Sequence, residues 1–107
     1  MNVTVTKSEN YTLVSVEGRV DSTNAGEFEK SMLDVVAEGG NKIILDCSEL
    51  NYISSTGLRI FLIVQKKMMA NNGHFCLCGL QAGIKEIFDI SGFSSIFKMF
   101  PDKESAI

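Results

Sequence analysis

The chain has 107 residues, 45% of them hydrophobic and 21% charged, with nine glycines and one proline. That is the profile of a single ordinary soluble domain, 1–107, able to bury roughly two thirds of its unfolded surface without staples. Ten Lys and Arg against thirteen Asp and Glu leave a formal charge of −3, so no strong basic field exists to hold a phosphate backbone, and nucleic-acid binding is not expected. The longest unbroken apolar run, Ile60 to Val64, falls far short of the ~20 residues that span a bilayer. The polar alternation at the start does not fit a signal peptide. A cytoplasmic location without membrane insertion is the expectation. The three cysteines are too few, and odd in number, for a secreted disulfide framework. Cys76 and Cys78 share a face of one predicted strand but are badly spaced for a mutual disulfide. With Cys47 they read as small buried hydrophobes, and no cofactor or metal is expected.

Asn2 to Thr6 and Tyr11 to Glu17 alternate with strand period, and the polar Lys7 to Asn10 between them makes a hairpin. Asp21, Ser22, Thr23 and Asn24 are four consecutive residues able to cap a helix. Ala25, Phe28, Met32, Val35 and Val36 then recur at helical spacing until Gly39-Gly40. Lys42 to Asp46 contains the unbroken Ile43-Ile44-Leu45, which suits a central parallel strand covered on both faces. After a polar connection, a helix runs from Leu58 to Ala70 and stops at Asn71-Asn72-Gly73, with Met68 in the core and Met69 at its rim. His74 to Cys78 is a further strand, Ile84, Ile87 and Phe88 mark a third helix ending near Gly92, and Ile96 to Phe100 is the last strand before Pro101. The tail starts a short helix. This order predicts an α/β fold, a mixed and mostly parallel sheet with an N-terminal hairpin and helices packed against it.

The chemically informative stretch runs from Leu45-Asp46-Cys47-Ser48 through Ile53-Ser54-Ser55-Thr56-Gly57-Leu58 to Arg59. In open α/β sheets, sites form where carboxyl ends of strands meet helix N-termini, and Ser54 to Thr56 lies at such a place. One hydroxyl there would merely cap the helix; three exceed what a cap needs. Gly57 reads as the residue that lets helix, sheet and partner approach closely. Asp21, before the first helix, falls near the same end of the sheet.

The hexapeptide from Ile53 to Leu58, with Leu45-Asp46-Cys47-Ser48 before it, resembles the signature of the STAS domain, and specifically the bacterial anti-sigma-factor antagonists. The resemblance extends to Gly18-Arg19-Val20-Asp21 before the first helix and to Ile87-Phe88-Asp89-Ile90-Ser91-Gly92-Phe93 at the end of the third. It implies a protein that binds an anti-sigma factor and so releases a sigma factor. The anti-sigma factor is itself a GHKL-type serine kinase. It phosphorylates the serine two residues before the motif glycine, which maps onto Ser55, and a PP2C-type phosphatase reverses the reaction. By the same resemblance Asp21 and its neighbour Ser22 belong to the partner-binding surface, together with Ser54, Ser55, Thr56, Gly57, Leu58 and Arg59. Helix-start physics also favours Ser55, because a phosphate there meets free backbone N–H groups and the helix dipole, with Arg59 one turn further on.

Many phosphorylated members have Asp directly before that serine, where this chain has Ser54. Ser54 and Thr56 therefore stand as rival acceptors, and an unphosphorylated STAS adaptor, such as the soluble partner of a lipid transporter, stands as the alternative function. A serine hydrolase fits poorly. A nucleophile elbow needs Gly where Ile53 stands, and His74 opens its strand at the end away from the hydroxyls. The chain reads as a binding protein, not an enzyme.

Overall fold

The computed structural model describes all 107 residues. Strands β1 (Asn2–Lys7) and β2 (Thr12–Val20) form the expected antiparallel hairpin. β2 runs longer than its alternation suggested because it serves two further partners. Its first half, Thr12 to Ser15, pairs in parallel with β3 (Lys42–Asp46), and its last residues, Gly18 to Val20, pair in parallel with β4 (Leu50–Ile53). The register shifts between Gly18 and Arg19. Gly18 sits there at φ 90° and its N–H donates to the Glu49 carbonyl at 2.9 Å, a backbone shape that a Cβ would strain. β5 (His74–Cys78) lies parallel to β3, and β6 (Lys98–Phe100) parallel to β5. The sheet order is β1-β2-β3-β5-β6, with β4 off this path beside β2.

Helices α1 (Ala25–Ala37), α2 (Ser55–Ala70) and α3 (Ala82–Ser91) cover one face of this sheet and share one large core with it. α1 buries the five residues that its spacing predicted. Phe61 of α2 stands amid the aromatic core, its ring 5.9 Å from Phe28, 6.1 Å from Phe88 and 6.2 Å from Phe97. The opposite face is closed by the short α4 (Lys103–Ala106), whose Ala106 packs with Ile44, Cys76 and Cys78. Ile43 and Leu45 face the large core while Ile44 faces the small one, so β3 is covered on both sides as expected. All three cysteines are free and buried. Burial pushes the Cys78 thiol up to about 12 and the Cys47 thiol well above its ordinary value, which keeps both as packing groups.

Three sequence expectations need correction. The polar connection after Asp46 contains β4, whose two middle residues are exposed between buried Leu50 and Ile53, a pattern that shows no strand alternation. The second helix begins at Ser55 instead of Leu58, because Ser54 caps it there; Ser, Thr and Gly are weak helix formers and masked its first turn. The last strand begins at Lys98 and not at Ile96. Phe93–Ser95 winds into a single 3-10 turn, and Phe97, whose N–H bonds the Phe93 carbonyl at 3.2 Å, drops into the core.

Candidate functional site

The site is built by the ends of β2 and β4 and the start of α2. The Ser54 N–H donates to the Val20 carbonyl at 2.9 Å, which sets the hydroxyl cluster beside the Asp21 loop, as the sequence suggested. Ser54 is the N-cap: its Oγ accepts from the Gly57 N–H at 3.2 Å and its carbonyl accepts from Leu58 N–H at 3.0 Å. Ser55 and Thr56 follow in the first helical turn, exposed and with no side-chain hydrogen bond. Their N–H groups are among those an α-helix leaves unpaired at its start. The three hydroxyls thus divide into one structural cap and two free groups.

Gly57 is buried at the closest approach of α2 to the sheet. A Cβ on it would lie 2.7 Å from Ile53 Cγ1 and 2.9 Å from Val20 Cγ1, both on stiff branched side chains held in the core. Replacing a helical Gly with Ala gains up to about 1 kcal/mol of propensity, but overpacking at this contact costs about 1–3 kcal/mol, and the clash wins. Gly57→Ala is expected to lower the urea midpoint, and Gly57→Val to lower it further; an unchanged midpoint for Gly57→Val would contradict the close approach.

The Asp21 loop is ordered by its own side chains. The Asp21 carboxylate accepts from Thr23 Oγ1 at 2.5 Å and from the Thr23 N–H at 3.0 Å, and the Thr23 hydroxyl above all holds its pKa below the usual range. Asn24 accepts from the Asp21 N–H at 2.9 Å and donates to the Arg19 carbonyl at 2.8 Å. The run from Asp21 to Asn24 therefore shapes a turn; Asn24 occupies the α1 N-cap position without a side-chain cap bond. Ser22 is exposed. Leu58 is half-buried against the core, and Arg59 is exposed and makes no salt bridge.

One pair lay outside the sequence reading. Arg19 and Tyr52 are register partners on β2 and β4, and the guanidinium carbon sits 4.3 Å from the Tyr52 ring centroid, with Arg19 Nε 3.7 Å from the Asp21 carboxylate. Only recognition of β4 would have brought them together. His74 opens β5, at the far end of the sheet from Ser55, so no imidazole faces the hydroxyls.

The STAS domain family model matches residues 2–106. The chain belongs to the STAS domain family. BtrV of Bordetella bronchiseptica, named for anti-sigma factor antagonism, is 37% identical over 106 residues, 99% of this chain and 91% of its own. Among solved STAS-like structures, an anti-sigma factor antagonist from Mycobacterium paratuberculosis aligns with a TM-score of 0.89 at 23% identity, over 98% of this chain and 89% of that one. Bacillus SpoIIAA in its phosphorylated form aligns with a TM-score of 0.76 at 17% identity, over 98% and 96%. The two structures speak to the STAS fold, which is the mixed, mostly parallel sheet that the residue pattern predicted.

Proposed function

We propose that this chain is an anti-sigma-factor antagonist of the bacterial cytoplasm. Unmodified, it captures an anti-sigma factor that is also a GHKL-type serine kinase, and a sigma factor is released. Phosphorylation of Ser55 by that kinase switches the capture off, and a PP2C-type phosphatase restores it. The names of relatives such as BtrV support the antagonist reading. The observation that carries the switch is the division of labour at the start of α2, where Ser54 is committed as the cap while the Ser55 hydroxyl is exposed and unbonded in the first turn. A phosphate there meets free N–H groups and the positive end of the 16-residue helix. Asp21, Ser22, Thr56, Leu58 and Arg59 flank it as the docking surface, and Arg19 with Tyr52 extends that surface along β2 and β4. No helix is long and apolar enough to cross a membrane.

Ser54 stands where many phosphorylated members carry Asp, and that exchange is what an unphosphorylated adaptor would rest on. As an N-cap, Ser performs a task that Asp performs equally well, so the exchange leaves the geometry around Ser55 intact and favours the switch. Intact-mass measurement after incubation with ATP and a co-encoded GHKL kinase is expected to show one added phosphate, mapped to Ser55, and none in Ser55→Ala. Mapping to Ser54 or Thr56 would overturn the residue assignment, and no phosphate at all would favour the adaptor. The chain alone should transfer none, since its glycines form no G-x-x-x-x-G-K-[ST] loop.

A further inference from the structure

At the end of the sheet away from Ser55, β6 starts only opposite Cys76, which leaves His74 and Phe75 of β5 without a neighbouring strand on that side. The gap is an open cleft of about 470 Å³. Met69 of α2, Phe75 and Ile96 give it apolar walls, and Gln65 Nε2 fixes the rim by donating to the Ile96 carbonyl at 3.0 Å. Strand register supplies the charge. Lys42 stands opposite His74, and Lys98 stands opposite Cys76. Residues two apart in a strand point to one face, so Lys42, His74 and Lys98 lie on the Cys76 face while Phe75 turns to the α2 face, and the cleft wraps the open edge of β5 between them. Burial raises the Cys76 thiol's pKa, and the charges of Lys42 and Lys98 oppose that rise.

Lys98 has no partner in a protein of net negative charge. No carboxylate lines the cleft, and neither lysine has a salt bridge, whereas Lys7, Arg19, Lys30 and Lys85 all do. Lys42 is engaged by the Ala106 carbonyl at 2.6 Å and the Ile107 oxygen at 3.4 Å, which leaves Lys98 as the ammonium free to meet a ligand. We propose that the cleft is a second binding site, separate from the Ser55 surface, for a small monocarboxylate with an apolar body. A few polar groups beside an apolar wall are the usual build of a small-molecule site, and the volume is in the usual range. The cations are ammonium point charges without a guanidinium fork, helix N-terminus or glycine-rich nest, the devices that select phosphate. Met69 follows Ser55 by 14 positions on α2, about 21 Å at 1.5 Å per residue, so an occupant does not touch the switch.

Amide shifts of the full chain, titrated with hexanoate, test this. Saturable changes are expected at His74, Cys76 and Lys98, with acetate, 1-hexanol and inorganic phosphate each binding at least about tenfold more weakly. Lys98→Gln and Ile96→Glu, both at exposed positions, should each weaken hexanoate about tenfold while melting like the parent. The site is overturned if hexanoate gives no saturable shifts, if phosphate binds as tightly as hexanoate, or if both variants keep full hexanoate affinity.

Discussion

Phosphorylation of Ser55 is expected to lower affinity for the cognate anti-sigma factor by at least about tenfold, which needs only about 1.4 kcal/mol. The modification adds about −1.5 to −2 charge and a hydration shell to a hydroxyl at the centre of the proposed contact. A docked partner would have to strip that shell, and its surface, complementary to a neutral hydroxyl, would face an anion. The fold should be indifferent. Ser55 is exposed and unbonded, so no native contact is lost, and an anion at a helix start gains about 0.3–1 kcal/mol. Ser55→Asp should accordingly melt like the parent and bind more weakly, by less than true phosphate because its charge is smaller. Ser55→Ala should bind constitutively. A mimic that lost binding together with its thermal transition would point to misfolding and not to a switch.

Ile44→Asp is expected to abolish folding. Ile44 is 0% exposed on the central strand β3, packed with Cys76, Cys78 and Ala106 between the sheet and α4. A carboxylate there has no hydrogen-bond donor waiting, and the nearest candidate cation on its face, Lys42, is engaged by the Ala106 carbonyl. Burying an unpaired charge costs many kcal/mol before it neutralises by protonation, against a total stability of about 5–15 kcal/mol for a domain. The dispersed amide spectrum should collapse. Ile44→Val, which removes one methylene, should cost only about 0.5–1.5 kcal/mol and keep the native spectrum. A well-folded Ile44→Asp would mean that β3 is not the covered central strand.

That position was legible beforehand because the run Ile43-Ile44-Leu45 is short, β-branched and unbroken, and burial on both faces leaves no alternation to confuse. α1 was legible for the opposite reason, since its one buried stripe imposes a helical period and Gly39 breaks it. β4 was not. Its four residues carry exposed Asn51 and Tyr52 side by side, and only pairing with the far end of β2, a contact between distant parts of the chain, makes it a strand. The same blindness hid the stacking of Arg19 on Tyr52. At the site, three adjacent hydroxyls announced a helix start, but their order of duty did not follow from sequence. Ser54 became the cap because its N–H is pinned to Val20, a tertiary bond that sets where α2 begins.

The proposed switch is tested most directly by calorimetric titration of the cognate anti-sigma factor with this chain in its unmodified and its fully Ser55-phosphorylated forms. Tight binding of the first and at least about tenfold weaker binding of the second is the predicted result. Equal affinities for the two forms would contradict the switch and leave the unphosphorylated adaptor as the better account.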